Sequence, residues 1–133
     1  MNKQIYLICF LLTFIFSMNA TGQNQLPESM ERGKSLYNTN CIACHMANGE
    51  GVLHAFPPIA KSDYLMADKD RSIKVVLNGA NGEMEVNDVA YYGAMAGFNY
   101  LSDQEIADIM NFIRNSWGNK GDIVAATEIK KNR

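Results

Sequence analysis

The sequence predicts an all-α domain, with three main helices and their loops wrapped around one bound group, and a small β-hairpin as the only sheet. Three observations carry that prediction. A Cys-Ile-Ala-Cys-His run stands at 41–45, two bounded amphipathic segments follow it, and the chain is short for a self-sufficient core. The chain has 133 residues, 12 basic and 14 acidic, for a formal charge of −2.

The opening residues read as a leader. Lys3 supplies a positive start, and residues 5–16 form an apolar run shorter than the about 20 residues of a spanning helix. Small residues follow, with Ala20 and Gly22 suiting a cleavage site, so 1–22 is expected to be a signal peptide removed near Gly22. Left uncleaved, the same run would anchor the domain to a membrane. Cys9 lies inside it and is expected to leave with it.

About 110 residues remain, enough for one domain over 23–119 and a C-terminal surface tail over 120–133, with Ile123 and Val124 able to pack back. Without Lys3 the formal charge moves to −3. No basic face is present, which excludes nucleic acid. A mildly acidic surface suits a protein partner with a basic patch.

Pro27, Glu28 and Glu31 suit the first turn of a helix, with Met30, Gly33 and Tyr37 along its inward stripe. That helix should reach 38–40 and deliver Cys41. Gly49, Gly51 and Pro57-Pro58 impose loop over 46–60. A short helical turn is expected over 61–66. Asp68 then caps a helix whose stripe is Ile73, Val76 and Leu77, ended by Asn78-Gly79. Arg71 and Lys74 lie off that stripe, on a face expected to be solvated. Met84-Glu85-Val86 and Val89-Ala90-Tyr91 flank Asn87-Asp88 as a small hairpin or extended loop. Ser102 with Glu105 forms a capping box, and Ile106, Ile109, Met110, Ile113 and Trp117 run at helical spacing until Gly118.

The run at 41–45 carries the chemistry. Two thiols three positions apart, followed directly by an imidazole, are the attachment signature of a c-type haem. Cys41 and Cys44 each add across one vinyl group, and His45 then falls beneath the ring as proximal ligand. Zinc would need a second ligand pair, which the sequence lacks. A thioredoxin-like redox pair would need a βαβ pattern, which is also missing. A carbonyl of the proline pair, that of Pro58 in preference to Pro57, is expected to accept the other ring N–H of His45 and fix its tautomer. The alternative is a plain loop stiffener. For Arg71 and Lys74, the alternative to a solvated face is that either reaches a haem propionate.

A sixth ligand decides between electron passage and small-molecule binding. Met46 adjoins His45 on the same side, Met66 sits near a short helix, and Met110 belongs to the last stripe. Spacing leaves Met95, Met84 and His54 open.

Gly33, Tyr37 and the Cys41-Cys44-His45 set resemble the class I c-type cytochromes, the small bacterial monohaem domains found alone or fused to oxidoreductases. So do Gly49-Glu50-Gly51-Val52, Phe56-Pro57-Pro58-Ile59-Ala60 and the stretch from Leu101 through Asn119. The resemblance covers nearly all of the chain after the leader. It implies Met95 as axial ligand, and first and last helices crossing with Gly33 and Tyr37 against Ile109 and Phe112. Where the family usually has proline after its methionine, Ala96-Gly97 stands here; His54 takes a usually small position and is expected on the surface.

The implied function is an exported, periplasmic carrier of single electrons, holding one covalent haem c through Cys41 and Cys44 and ligating it with His45 and Met95. It would act on no small-molecule substrate. Its partners would be redox proteins, a dehydrogenase as donor and a terminal oxidase or other acceptor, docking at an apolar rim of Ile42, Ala43 and Val52. Two rivals are a haem enzyme or gas sensor with a labile sixth ligand, and a haem subunit of a dehydrogenase or oxidase complex.

Overall fold

A computed structural model describes residues 25–133; the expected leader lies outside the described residues. The elements are α1 (Gln25–Asn40), α2 (Ile42–His45), α3 (Asp63–Ala67), α4 (Lys69–Asn78), β1 (Ala80–Val86), β2 (Val89–Met95), α5 (Asp103–Ile113) and α6 (Ala126–Lys131). The three main helices are α1, α4 and α5, and the two strands form one antiparallel hairpin.

The crossing of α1 with α5 organises the body, and Gly33 makes it possible. A Cβ there would stand 1.9 Å from the Asp108 carbonyl oxygen and 2.9 Å from Phe112 Cβ, so only glycine lets the backbones approach. One turn on, Tyr37 packs on the rings of Phe112 and Trp117 at 5.4 and 5.1 Å. The buried face of α1 is Ser29, Gly33 and Tyr37, with Met30 only half-buried. Ser29 takes the inner place because its hydroxyl donates to the buried Asp108 carboxylate (2.6 Å).

The start signals at Asp68 and Ser102 hold, and Ser62 adds one not expected from the sequence. Ser62 caps α3 and Asp68 caps α4, each side chain accepting the N–H three residues on, and the Ser102–Glu105 capping box opens α5. The end of α5 differs from the periodicity. It stops at Ile113, four residues before Trp117, which adopts φ +53° with Gly118 at +96°. Turning there folds the indole back onto Tyr37, Phe112 and Gly49. Asn119 Nδ2 secures the turn by donating to the carbonyls of Ile113 and Ile59.

The hairpin is longer than expected, seven residues a side, and pairs as far as Ala80 with Met95. Its turn, Asn87-Asp88, has both residues at positive φ (51° and 61°), which suits the strand twist. Asn87 and Asp63 exchange side-chain-to-backbone hydrogen bonds that fasten the tip to α3.

Residues 120–133, expected as a surface tail, are in part core. Ile123 stays exposed, but Val124 and Ile129 are buried beside Ile106, Ile109 and Met110. Burying an isoleucine contributes about 2 kcal/mol, which is what draws α6 onto α5. Asn111 clamps the approach, accepting from the Val124 N–H (2.7 Å) and donating to its carbonyl (3.0 Å). Lys69 pairs with Glu128, tying α6 to α4.

Candidate haem-binding site

A cavity of about 410 Å³ opens between α2 with its following loop on one side and the hairpin on the other. Cys41, Cys44, His45 and Pro57 line the first wall. The second follows from register. Cross-strand partners share a face, so Ala80, Gly82, Met84 and Val86 of β1 point the same way as Met95, Gly93 and Tyr91 of β2, and all seven line the cavity.

His45 is set by its outer nitrogen. Nδ1 lies 2.9 Å from the Pro57 carbonyl oxygen, which can only accept, so Nδ1 carries the proton and Nε2 keeps its lone pair for a metal. Burial lowers the His45 pKa, the Pro57 contact opposing, so the ring is neutral at physiological pH. The expected partner, Pro58, is corrected to Pro57. Val52 and Phe56 pair as a bridge, and the N–H groups of Ile59 and Ala60 both reach the Gly49 carbonyl. In that folded loop the Pro57 carbonyl passes close to Gly51, and the next carbonyl in an extended chain points elsewhere. Tyr37 Oη, donating to the Met46 carbonyl (2.6 Å), holds the end of α2 from beneath.

Cys41 is half-buried and Cys44 exposed, both as free thiols. Burial, with Cys44 adding, pushes the Cys41 thiol up to about 11, so it is uncharged at neutral pH, unlike a redox-active thiolate. Among the described residues no cluster of three or more His, Cys, Asp or Glu forms a separate metal site.

Met95 ends β2, and its backbone rests on the close of α4. A Cβ on Gly79 would stand 2.2 Å from the Met95 carbonyl, one on Gly97 would meet Asn78 and Leu77, and Phe98 N–H donates to Val76 (3.0 Å). Met84 lines the same wall. His54 is exposed and outside the lining, Met66 packs on the core and Met110 is fully buried, so two of the three open candidates share the cavity. Ser62, Tyr64 and Ser72 also line it, unforeseen as site residues. Arg71 stacks over the Tyr64 ring at 3.8 Å and donates to its carbonyl (2.6 Å), so it is not simply solvated. Seven residues across two helices separate that pair, outside any single-helix spacing.

A mainly apolar cavity, paired thiols at its edge, an imidazole with a free Nε2 and a thioether on the facing wall fit a covalently held haem. That combination defines a small class I c-type cytochrome. Residues 30–117 match the Cytochrome c family, and the chain belongs to it. It is 36% identical to cytochrome c-552 of Thermus thermophilus over 110 residues, covering 76% of this chain and 83% of that protein. Cytochrome c6 of Cyanidioschyzon merolae is 30% identical over 80% of this chain and 89% of its own length. The cytochrome c subunit of a quinone alcohol dehydrogenase from Gluconobacter oxydans is 40% identical over 76% of this chain, which spans only 22% of that subunit. The protein is thus an electron-carrying cytochrome with covalently attached haem c.

Proposed function

We propose that the chain is a monohaem carrier of single electrons, with thioether links at Cys41 and Cys44 and axial ligands His45 and Met95, and that it makes and breaks no substrate bonds. The observation that carries this is the opposition of two prepared ligands across one cavity: His45 oriented by Pro57, and Met95 seated on the end of α4. When bound, the haem supplies the one-electron couple. The residues do the rest. Pro57 holds the proton on Nδ1 and strengthens Nε2 as a donor, the cysteine links prevent loss of the group, and the apolar lining limits water.

Val52, Leu53 and Phe56 are exposed large apolar residues, and Phe56 lines the cavity with Cys44, so this loop offers the apolar surface at which a dehydrogenase donor and an oxidase or other acceptor would dock. Ile42, expected in that rim, packs against the core instead. Residues 1–22 are read as a cleaved leader and the mature protein as periplasmic; among the described residues no helix is long and apolar enough to cross a membrane. Mass spectrometry of the purified protein tests the cleavage.

The axial set is tested by absorption. The ferric protein should show the weak red charge-transfer band of sulfur on iron, and Met95→Ala should abolish it while Met84→Ala keeps it. The reverse pattern would move the ligand to Met84.

A further inference from the structure

Arg133 makes an unusual set of contacts. Its guanidinium donates from Nε to Asp103 Oδ1 (2.5 Å), from Nη1 to the Asn99 carbonyl (2.8 Å) and from Nη2 to the Leu101 carbonyl (2.5 Å). All three acceptors lie in one five-residue stretch that begins four residues after Met95. Of the three residues between, Ala96 and Gly97 offer no large side chain, and Phe98 packs against the core. Phe98 N–H on Val76 is the near restraint, and the arginine fork is the far one.

The element presenting the fork is itself secured. Ile129 is fully buried, Lys69 pairs with Glu128, and Asn132 donates to Asp70 (3.2 Å). A planar guanidinium suits several fixed acceptors at once, where an ammonium is a single point charge. Arg133 reaches the loop from about thirty residues away in sequence, so nothing local calls for it.

We propose that Arg133 is a positioning residue for Met95: by pinning the carbonyls of Asn99 and Leu101 it holds the methionine loop closed, and so keeps external ligands from the sixth coordination position. This rests on Met95 being that ligand. The loop then has a closed and an open arrangement, and an incoming ligand binds at a rate set by the open fraction. Losing the fork raises that fraction without removing the thioether.

The test is the rate at which the ferrous holoprotein binds carbon monoxide, with far-UV circular dichroism following the helices. Arg133→Ala should keep its helical signal and bind about tenfold faster. Arg133→Lys should fall between that variant and the unaltered protein. Lys69→Ala removes one of the three contacts that seat α6 and leaves Ile129, Asn132 and the fork itself in place, so it should lower the melting temperature yet stay within about twofold of the unaltered rate. A rate for Arg133→Ala within that same margin would overturn the proposal, and so would equal acceleration by Lys69→Ala. Met95→Ala separates the two levels. If it binds fast and loses the red band while Arg133→Ala does neither, only the latch falls; if it keeps the band, the axial assignment falls and takes the latch with it.

Discussion

The two walls of the cavity are made of different material. Behind His45 stands a packed body, where α1 and α5 touch backbone to backbone at Gly33, three aromatic rings interlock, and Asp108 is buried under Ser29, Arg32 and Gln104. The wall bearing Met95 is a two-stranded ribbon. Its outer face, Asn81, Glu83, Glu85 and Tyr92, is open to water, and much of its inner face is alanine, glycine or methionine turned toward the cavity. An isolated hairpin is marginal in water. One wall therefore stands on the protein's own core, and the other depends on the group it covers.

Removing the tether is the strongest way to break the contrast. In the double variant Cys41→Ala, Cys44→Ala, haem should no longer survive denaturing electrophoresis with the chain. Amide hydrogen exchange across Ala80–Met95 should quicken by about a hundredfold, against little change in α1 and α5. Equal loosening of both walls would show that they are not distinct.

Gly33→Ala attacks the other side. The new methyl would meet the Asp108 carbonyl, a backbone atom that cannot swing away, so a loss of about 3 kcal/mol or more is expected in denaturant unfolding. Asp108→Ala should cost slightly less, about 2 kcal/mol at neutral pH, because it leaves the buried Ser29 hydroxyl without its acceptor while Arg32 turns to water. Burial alone would raise the Asp108 pKa, but hydrogen bonds from Arg32, Ser29 and Gln104, with the charge of Arg32, outweigh it and leave it lowered. A lowered folded pKa gives stability that is present above the ordinary carboxylate value and lost as pH falls through the folded one. The gap between Asp108→Ala and the unaltered protein should accordingly narrow only on that acid limb, as read by melting curves across pH.

The smallest effect belongs to the ribbon's wet face. Tyr92 is 66% exposed and donates to Glu83 across the register at 3.1 Å. Tyr92→Phe should move the melting temperature by no more than about 2 °C. A larger shift would mean that the outer face supports the hairpin after all.

Much of this molecule is legible residue by residue. The attachment run and the caps at Asp68 and Ser102 are short-range statements, because a thiol spacing or a capping side chain acts within one turn of chain. The candidates for the sixth ligand could also be narrowed by spacing to three. Which proline carbonyl meets His45 was not legible, since it depends on the loop folding onto Gly49 and Gly51. Nor was the reach of the hairpin, whose outer pairs join asparagine, alanine and glycine, residues with little strand preference of their own.

Local chemistry along the chain was sufficient to specify a tethered haem and helices that start at the caps of Asp68 and Ser102. Folding in three dimensions settled the rest: Pro57 in place of Pro58, Met84 and Met95 on the same face of the hairpin, α6 in the core, and Arg133 on the methionine loop. The reason is separation. Ser29 meets Asp108 across 79 positions and Arg133 meets Asn99 across 34. Contacts of that span leave no periodic trace, because they depend on where whole elements pack rather than on which residues are neighbours.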